Sequence, residues 1–127
     1  MKNVKIDFPV IADLNMKVST KYGMLQPNVS STQAVRAVFI IDPDSIIRSI
    51  IYYPLTTGRN FEEIKRTILA LQKADSVHCS TPANWTPGKD VIIPTPVTCE
   101  AAASGMASCN EDEYALDWFL RFKKDNV

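Results

Sequence analysis

Residues 35–53 read Val35-Arg-Ala-Val-Phe-Ile-Ile41, then Asp42-Pro-Asp-Ser45, then Ile46-Ile-Arg-Ser-Ile-Ile-Tyr-Tyr53, and no other stretch constrains the architecture as strongly. The first segment is nearly all apolar and β-branched, which is typical of a strand buried on both faces. The second has the composition of a turn. Because the third is again apolar and aromatic, the sequence predicts a β-hairpin.

A strand and a short helix are predicted before this hairpin. Residues Val4 to Ala12 alternate imperfectly and contain Pro9, which indicates a strand near the edge of a sheet. Asp13 is a suitable N-cap for a helix over Leu14 to Tyr22, and Gly23 follows where such a helix would close.

The clearest helix lies after the hairpin, over residues 61–74. Asn60 stands at the N-cap, and Glu63 follows three residues later, as in a capping box. Apolar residues at helical spacing give this helix one apolar face. They are Phe61, Ile64, Ile68 and Leu71.

Prolines interrupt regular structure beyond Val77. In this region we expect a short extended piece over Asp90 to Ile93 and a helix over Glu100 to Met106. The tail beyond Ala107 has the character of an arm.

Composition excludes several classes of function. The chain has 127 residues, of which 46% are hydrophobic and 22% charged, and its 14 basic residues balance 14 acidic ones. This is an ordinary globular composition, and it gives no electrostatic reason to expect nucleic acid or a membrane as partner. The start has no apolar stretch of the signal-peptide type. Three cysteines without a Cys-x-x-Cys pair predict neither a disulfide framework nor a metal site, and we expect no cofactor. Sparse cysteines and the lack of a signal-type stretch make the cytoplasm the default location.

Six segments in register carry a resemblance to a known family. In order along the chain they are Phe8-Pro-Val-Ile-Ala-Asp13, Lys21-Tyr-Gly-Met-Leu-Gln-Pro27, Val35-Arg-Ala-Val-Phe-Ile-Ile-Asp-Pro43, Tyr53-Pro-Leu-Thr-Thr-Gly-Arg-Asn60, Thr81-Pro-Ala-Asn-Trp85 and Leu116-Asp-Trp-Phe-Leu120. Together they resemble the C-terminal portion of a peroxiredoxin of the one-cysteine type, a thiol peroxidase with the thioredoxin fold.

The resemblance implies an α/β chain with a partial thioredoxin-like fold, in the order β-α-β-β-α, followed by a C-terminal peroxiredoxin dimerisation arm. Residues 1–77 would belong to the thioredoxin-like domain and residues 78–127 to the extension. In this family two strands from the N-terminal half lie between the strand at Phe8 to Ala12 and the strand at Val35 to Ile41. A gap in the sheet is therefore expected, and each buried unpaired backbone group in it would cost about 1–3 kcal/mol. A second polypeptide, a longer native chain, a swapped homodimer or a rearranged sheet could fill it.

The family's reactive cysteine lies in a Pro-x-x-x-Thr/Ser-x-x-Cys motif on the first turn of a helix, where the helix N-terminus favours the thiolate. Cys79 has a serine at the hydroxyl position but no proline, and it is expected at the end of a helix. Cys99 and Cys109 lack both residues. The peroxidatic cysteine is therefore absent from this chain.

Two arginines match supporting residues of the family. By this resemblance Arg36 would stabilise the peroxidatic thiolate and polarise the peroxide O–O bond, and Arg59 would brace the site. The alternatives are a strand-end arginine that reaches solvent or a structural carboxylate, and an exposed loop charge.

The arm departs from its relatives. Bacterial and archaeal members often carry cysteines where this chain has Ala115 and Arg121. Trp118 and Phe119 remain, which favours an arm held by aromatic burial rather than a redox relay.

Three hypotheses for function remain open. The chain reduces hydroperoxides when a missing N-terminal half supplies the cysteine, or it is a catalytically inactive homologue that acts as a dimerising or regulatory domain, or it binds an unrelated ligand. We also expect a homodimer through the strand Ile46 to Tyr53, whose apolar and aromatic edge only Arg48 and Pro54 could block.

Overall fold

The computed structural model describes residues 5–28, 30, 33–107 and 110–125, without the side chains of residues 106 and 107. The chain divides into two compact units, Met1–Arg59 and Asn60–Val127. Its elements are α1 (Lys17–Lys21), β1 (Arg36–Ile41), β2 (Ile47–Tyr53), α2 (Phe61–Val77), β3 (Val91–Ile92), α3 (Cys99–Ala107), β4 (Glu113–Asp117) and β5 (Leu120–Lys123). None of the helices found in the described ranges is both long and apolar enough to cross a membrane. The predicted division at residue 77 refers to the family domain and stays a prediction.

The predicted hairpin is confirmed in the first unit. Strands β1 and β2 pair antiparallel, with Arg36 opposite Tyr53. The Asp42 carboxylate closes the turn by accepting the N–H groups of Asp44 at 3.0 Å and Ile46 at 2.9 Å. A turn built by its own side chain explains why the local sequence was sufficient to predict it.

The expected burial of β1 on both faces is wrong. Five of its six residues are half-buried and Ile41 is exposed, while Val35, just before the strand, is 5% exposed. The sheet has two strands, and its cover within the unit is aromatic: the Phe39 ring meets those of Tyr22 at 4.9 Å and Tyr52 at 5.8 Å. A sheet this small cannot bury an apolar strand on both faces.

The strand expected over Val4 to Ala12 is absent from the described part of that segment, residues 5–12. Its apolar side chains are exposed, including Phe8 at 69% and Ile11 at 70%. A strand exists only when its backbone groups find a ladder partner. No neighbouring strand is supplied by the described residues, so the apolar pattern alone does not produce one.

Helix α1 is shorter than the predicted helix over Leu14 to Tyr22. Asp13 still caps it, but from further away: its carboxylate accepts the N–H groups of Val18 at 2.9 Å and Ser19 at 2.8 Å, and the Ser19 hydroxyl at 2.6 Å. These hydrogen bonds, the hydroxyl first, hold the pKa of Asp13 below its usual range. Gly23 ends the helix with φ of 64°, as predicted.

Helix α2 begins as predicted and runs three residues further. The Asn60 side chain accepts the N–H groups of Glu62 at 3.1 Å and Glu63 at 3.2 Å. The Glu63 carboxylate does not complete the capping box; it pairs with Arg66 at 2.7 Å instead, because a bidentate ion pair within one turn is the stronger interaction. His78 closes the helix in the left-handed conformation.

The predicted apolar face of α2 is only partly buried, with Ile64 and Leu71 half-buried. The core of the second unit is Ala70, Trp85 and Val91, with Leu69 and Cys79 packed against it. On the predicted face, exposure reaches 75% at Phe61 and 38% at Ile68. Both faces of this helix are partly apolar. Trp85, from a loop of the same unit, packs on the side that carries Leu69 and Ala70.

The tail, predicted as an arm, forms a β-hairpin. Strand β5 pairs antiparallel with both β4 and β3, giving the order β3-β5-β4. The extended piece expected at Asp90 to Ile93 is β3, and the expected helix is α3, which starts one residue earlier. Trp118 is 50% exposed and Phe119 46% exposed because they lie at the hairpin turn, so their burial within the chain is incomplete, and burial against a second copy stays a prediction.

Arg121 stands at one of the two positions where the family resemblance implies cysteine. Its guanidinium pairs with Glu113 at 3.0 Å, and both side chains are mostly buried. It also packs tightly on Gly105 of α3, where a Cβ would lie 2.5 Å from Arg121 Nη1. The hairpin is therefore held to α3 by an ion-paired arginine.

Candidate functional site

The two arginines predicted as site residues lie in the same unit and are linked to the same loop. Arg36 is the first residue of β1, and its Nη1 donates a hydrogen bond to the Thr57 carbonyl at 2.9 Å. Arg59 Nη2 donates to the Ala37 carbonyl at 3.2 Å. Arg36 thus binds the loop that precedes Arg59, and Arg59 binds the strand that begins at Arg36. We call this reciprocal arrangement the arginine clamp.

The loop that carries the clamp is ordered by its own turn. The Thr57 N–H donates to the Pro54 carbonyl at 3.0 Å, while the Thr57 carbonyl accepts the hydrogen bond from Arg36. Gly58 follows, with no heavy atom within 4 Å of where a Cβ would stand. A short turn and an unobstructed glycine place Arg59 beside the start of β1.

The charges of the clamp remain uncompensated. Neither Arg36 nor Arg59 forms an ion pair with any carboxylate in the described ranges. A guanidinium has several N–H donors in a planar fork, and a single carbonyl satisfies only one of them. The clamp therefore presents two positive groups whose other donors can meet an anion or a polarised oxygen. Arg36 lies at a strand end, as the alternative interpretation predicted, but it has no carboxylate partner among the described residues.

Cys79 has the environment of an unreactive thiol. It follows α2, as predicted, and is half-buried against the core of the second unit. Burial raises the pKa of the Cys79 thiol, although Lys73 acts in the opposite direction. A thiol with a raised pKa is a poor nucleophile at neutral pH.

Cys99 occupies a position that the sequence did not predict. It is exposed and is the first residue of α3, and the Thr98 hydroxyl caps the helix by accepting the Ala101 N–H at 3.1 Å. The expected helix began at Glu100, so the capping threonine was missed as a start signal. Its flanking residues still lack the proline and hydroxyl of the peroxidatic motif. Cys109 lies outside the described residues.

The sequence also missed the acceptors of the clamp. These are the main-chain carbonyls of Ala37 and Thr57, and a backbone oxygen leaves no trace in residue identity. Within the described ranges, no group of three or more His, Cys, Asp or Glu is arranged to hold a metal ion.

Residues 1–50 match the family model of the AhpC/TSA family, and residues 70–106 match that of the C-terminal domain of 1-Cys peroxiredoxin. A peroxiredoxin of Methanosarcina mazei is 58% identical over 125 residues, which are 98% of this chain and 57% of the relative. A peroxiredoxin 2 of Caldanaerobacter subterraneus is 47% identical over 95% of this chain and 54% of its own length. The chain thus spans little more than half the length of the curated relatives it matches.

Solved structures give the same result. A yeast mitochondrial 1-Cys peroxiredoxin superposes with a TM-score of 0.75 at 41% identity, covering 98% of this chain and 58% of the other. A cysteine-to-serine mutant of the peroxiredoxin 6 of Arenicola marina gives 0.71 at 35% identity, covering 96% and 59%. These matches confirm both the resemblance carried by the six segments and the predicted class of a partial thioredoxin-like fold.

Proposed function

Because the chain belongs to the peroxiredoxin family, we propose that it supplies the arginine half of a thiol peroxidase site and takes part in hydroperoxide reduction when another segment supplies the peroxidatic cysteine. The observation that carries this proposal is the arginine clamp. The Arg36 guanidinium is held by the Thr57 carbonyl of the loop and the Arg59 guanidinium by the Ala37 carbonyl of β1, and neither forms an ion pair with a carboxylate among the described residues.

The clamp suits the chemistry of peroxide reduction by a thiol. A thiolate attacks one oxygen of the peroxide, the O–O bond breaks, and the departing oxygen takes up negative charge before it is protonated. Arg36 would favour the thiolate and stabilise the departing oxygen, since preorganised donors act where charge develops. Arg59 would hold the strand that carries Arg36, through the Ala37 carbonyl.

The N-terminal half of a peroxiredoxin is the partner we propose. It would bring the cysteine and would also give residues 5–12 the strand partners that they lack among the described residues. A reducing compartment such as the cytoplasm suits this chemistry and the sparse cysteine content.

Complementation in trans tests the proposal. The chain alone, and its variant with all three cysteines changed to serine, should show no peroxide consumption with dithiothreitol. Addition of the N-terminal half of a close relative should restore activity, and Arg36→Met should then lower the rate about 10²–10³-fold, the usual loss for one preorganised donor. Arg48→Met is the matched control, because Arg48 lies on the same hairpin and pairs with Asp42. A restored rate that is indifferent to Arg36→Met would overturn the catalytic role.

A second candidate is a catalytically inactive homologue that dimerises or regulates. The exposed apolar side of β2 favours it: Ile47 is 48% exposed, Ile50 46% and Tyr52 43%. Strand β2 pairs only with β1 among the described residues, so its other edge offers unpaired backbone groups to a second copy. Assembly with the N-terminal half that restores no activity would select this candidate.

A further inference from the structure

The end of α2 and the sheet of the second unit enclose a cleft of about 400 Å³. We call it the tail cleft. Its volume is within the range of small-molecule sites, and one part of its wall is apolar. That part consists of Val77, Val91, Ile93 and Pro94.

The rim of the tail cleft carries more positive than negative charge. Lys73 pairs with Asp125, and Glu113 pairs with Arg121, so these carboxylates are already neutralised. Two further lysines line the cleft and have no ion pair among the described residues. They are Lys123 and Lys124.

One feature opposes an anion in this cleft. The carbonyl end of α2 lies at His78, and the end of a helix dipole is equivalent to about half a negative charge. Lys123 and Lys124 contribute a full charge each and outweigh it. Lys124 Nζ is hydrogen-bonded to the Glu111 carbonyl at 3.2 Å, which fixes that ammonium group without neutralising it.

We propose that the tail cleft binds a small carboxylate with an apolar body. The apolar part would contact Val77 and Ile93, and the carboxylate would meet the ammonium groups of Lys123 and Lys124. This site lies entirely in the second unit and involves neither arginine of the clamp, so it stands independently of the peroxidase proposal.

Cys79 provides a readout of occupancy because its half-buried thiol lies in the wall of the cleft. Alkylation by iodoacetamide, followed at Cys79 and Cys99 by peptide mass spectrometry, should slow at Cys79 when the full chain is incubated with 4-phenylbutyrate. At ten times the dissociation constant the slowing should be about tenfold by mass action. Cys99 is exposed elsewhere in the unit and should be unaffected.

The neutral amide 4-phenylbutyramide has the same shape without the charge, and it should protect Cys79 much less. Lys123→Gln and Lys124→Gln should each weaken protection by the carboxylate about two- to fivefold, the range for exposed ion pairs. Lys65→Gln, at the other end of α2, is the control and should change nothing. Equal protection by acid and amide, no protection by either, or equal sensitivity to Lys65→Gln would overturn the proposal.

Discussion

Substitution of Gly105 by alanine should destabilise the protein when position 121 is arginine and stabilise it when position 121 is alanine. In a helix, alanine is favoured over glycine by about 1 kcal/mol. At this position, however, the new Cβ would lie 2.5 Å from Arg121 Nη1 and 3.2 Å from its Cζ, well inside contact distance. Arg121 must therefore move.

The cost of that movement follows from what holds Arg121. Its side chain is 14% exposed and is paired at 3.0 Å with Glu113, which is 18% exposed. Loss of one largely buried charge-assisted hydrogen bond costs about 1.5–3 kcal/mol. Set against the helix gain, Gly105→Ala should destabilise the wild type by about 0.5–2 kcal/mol. With Arg121→Ala already present the obstacle is gone, and the same substitution should stabilise by up to about 1 kcal/mol.

Urea unfolding of the four chains of this double-mutant cycle measures the effect. The buried Trp85 gives a fluorescence signal from the second unit. The coupling free energy between the two positions should be about 1.5–3 kcal/mol, far above the few tenths expected for independent sites. If Gly105→Ala stabilises both backgrounds equally, Arg121 is free to move aside and the tight contact between α3 and the hairpin does not exist in solution.

Two further predictions concern the first unit. Ile50→Lys should shift a dimer to monomer in light scattering across a dilution series, because a charge on β2 blocks edge pairing, whereas Leu116→Lys in the second unit should not; a wild type that is monomeric at micromolar concentration would contradict the expected dimer. Asp13 has a lowered pKa, so its contribution to stability is complete above the ordinary carboxyl value of about 4 and disappears as the pH falls through the lower folded value. Amide exchange at Val18 and Ser19 should accelerate over that acid range, and Asp13→Ala should give the fast rate already at neutral pH; exchange that ignores the substitution would contradict the cap.

The features that the sequence predicted are those determined within a few residues. The Asp42 turn, the Asn60 cap and the closing Gly23 each depend on a side chain or glycine acting on its own neighbourhood. Features that depend on distant partners were predicted poorly. Residues 5–12 have strand composition, but composition does not supply a neighbouring strand.

The C-terminal hairpin was missed for a different reason. Leu120 and Phe122 alternate with Arg121 and Lys123, so a period of two was present in β5, whereas in β4 the apolar Ala115 lies between Tyr114 and Leu116 and obscures it. The resemblance to a family arm specifies neither a turn nor a strand pairing in this segment. The Tyr114 and Phe122 rings stack at 5.2 Å across the hairpin, the contact that this alternation would have indicated.

The arginine clamp depends on contacts within the chain, whereas the segment 5–12 needs strands from a partner. We therefore expect the clamp geometry, but not a strand over 5–12, to form in the isolated chain. Its bonds run from side chains to main-chain carbonyls of one hairpin and one loop, so its geometry needs no strand from outside the chain. Residues 5–12 depend on such strands and remain unpaired among the described residues. If the proposed N-terminal half binds, it should therefore order that segment while leaving the Arg36 and Arg59 contacts unchanged. Chemical shifts of the two guanidinium Nε–H groups that stay fixed on complex formation, alongside new amide protection in residues 5–12, would be the expected result; protection without fixed arginine signals would show that the clamp is assembled only in the complex.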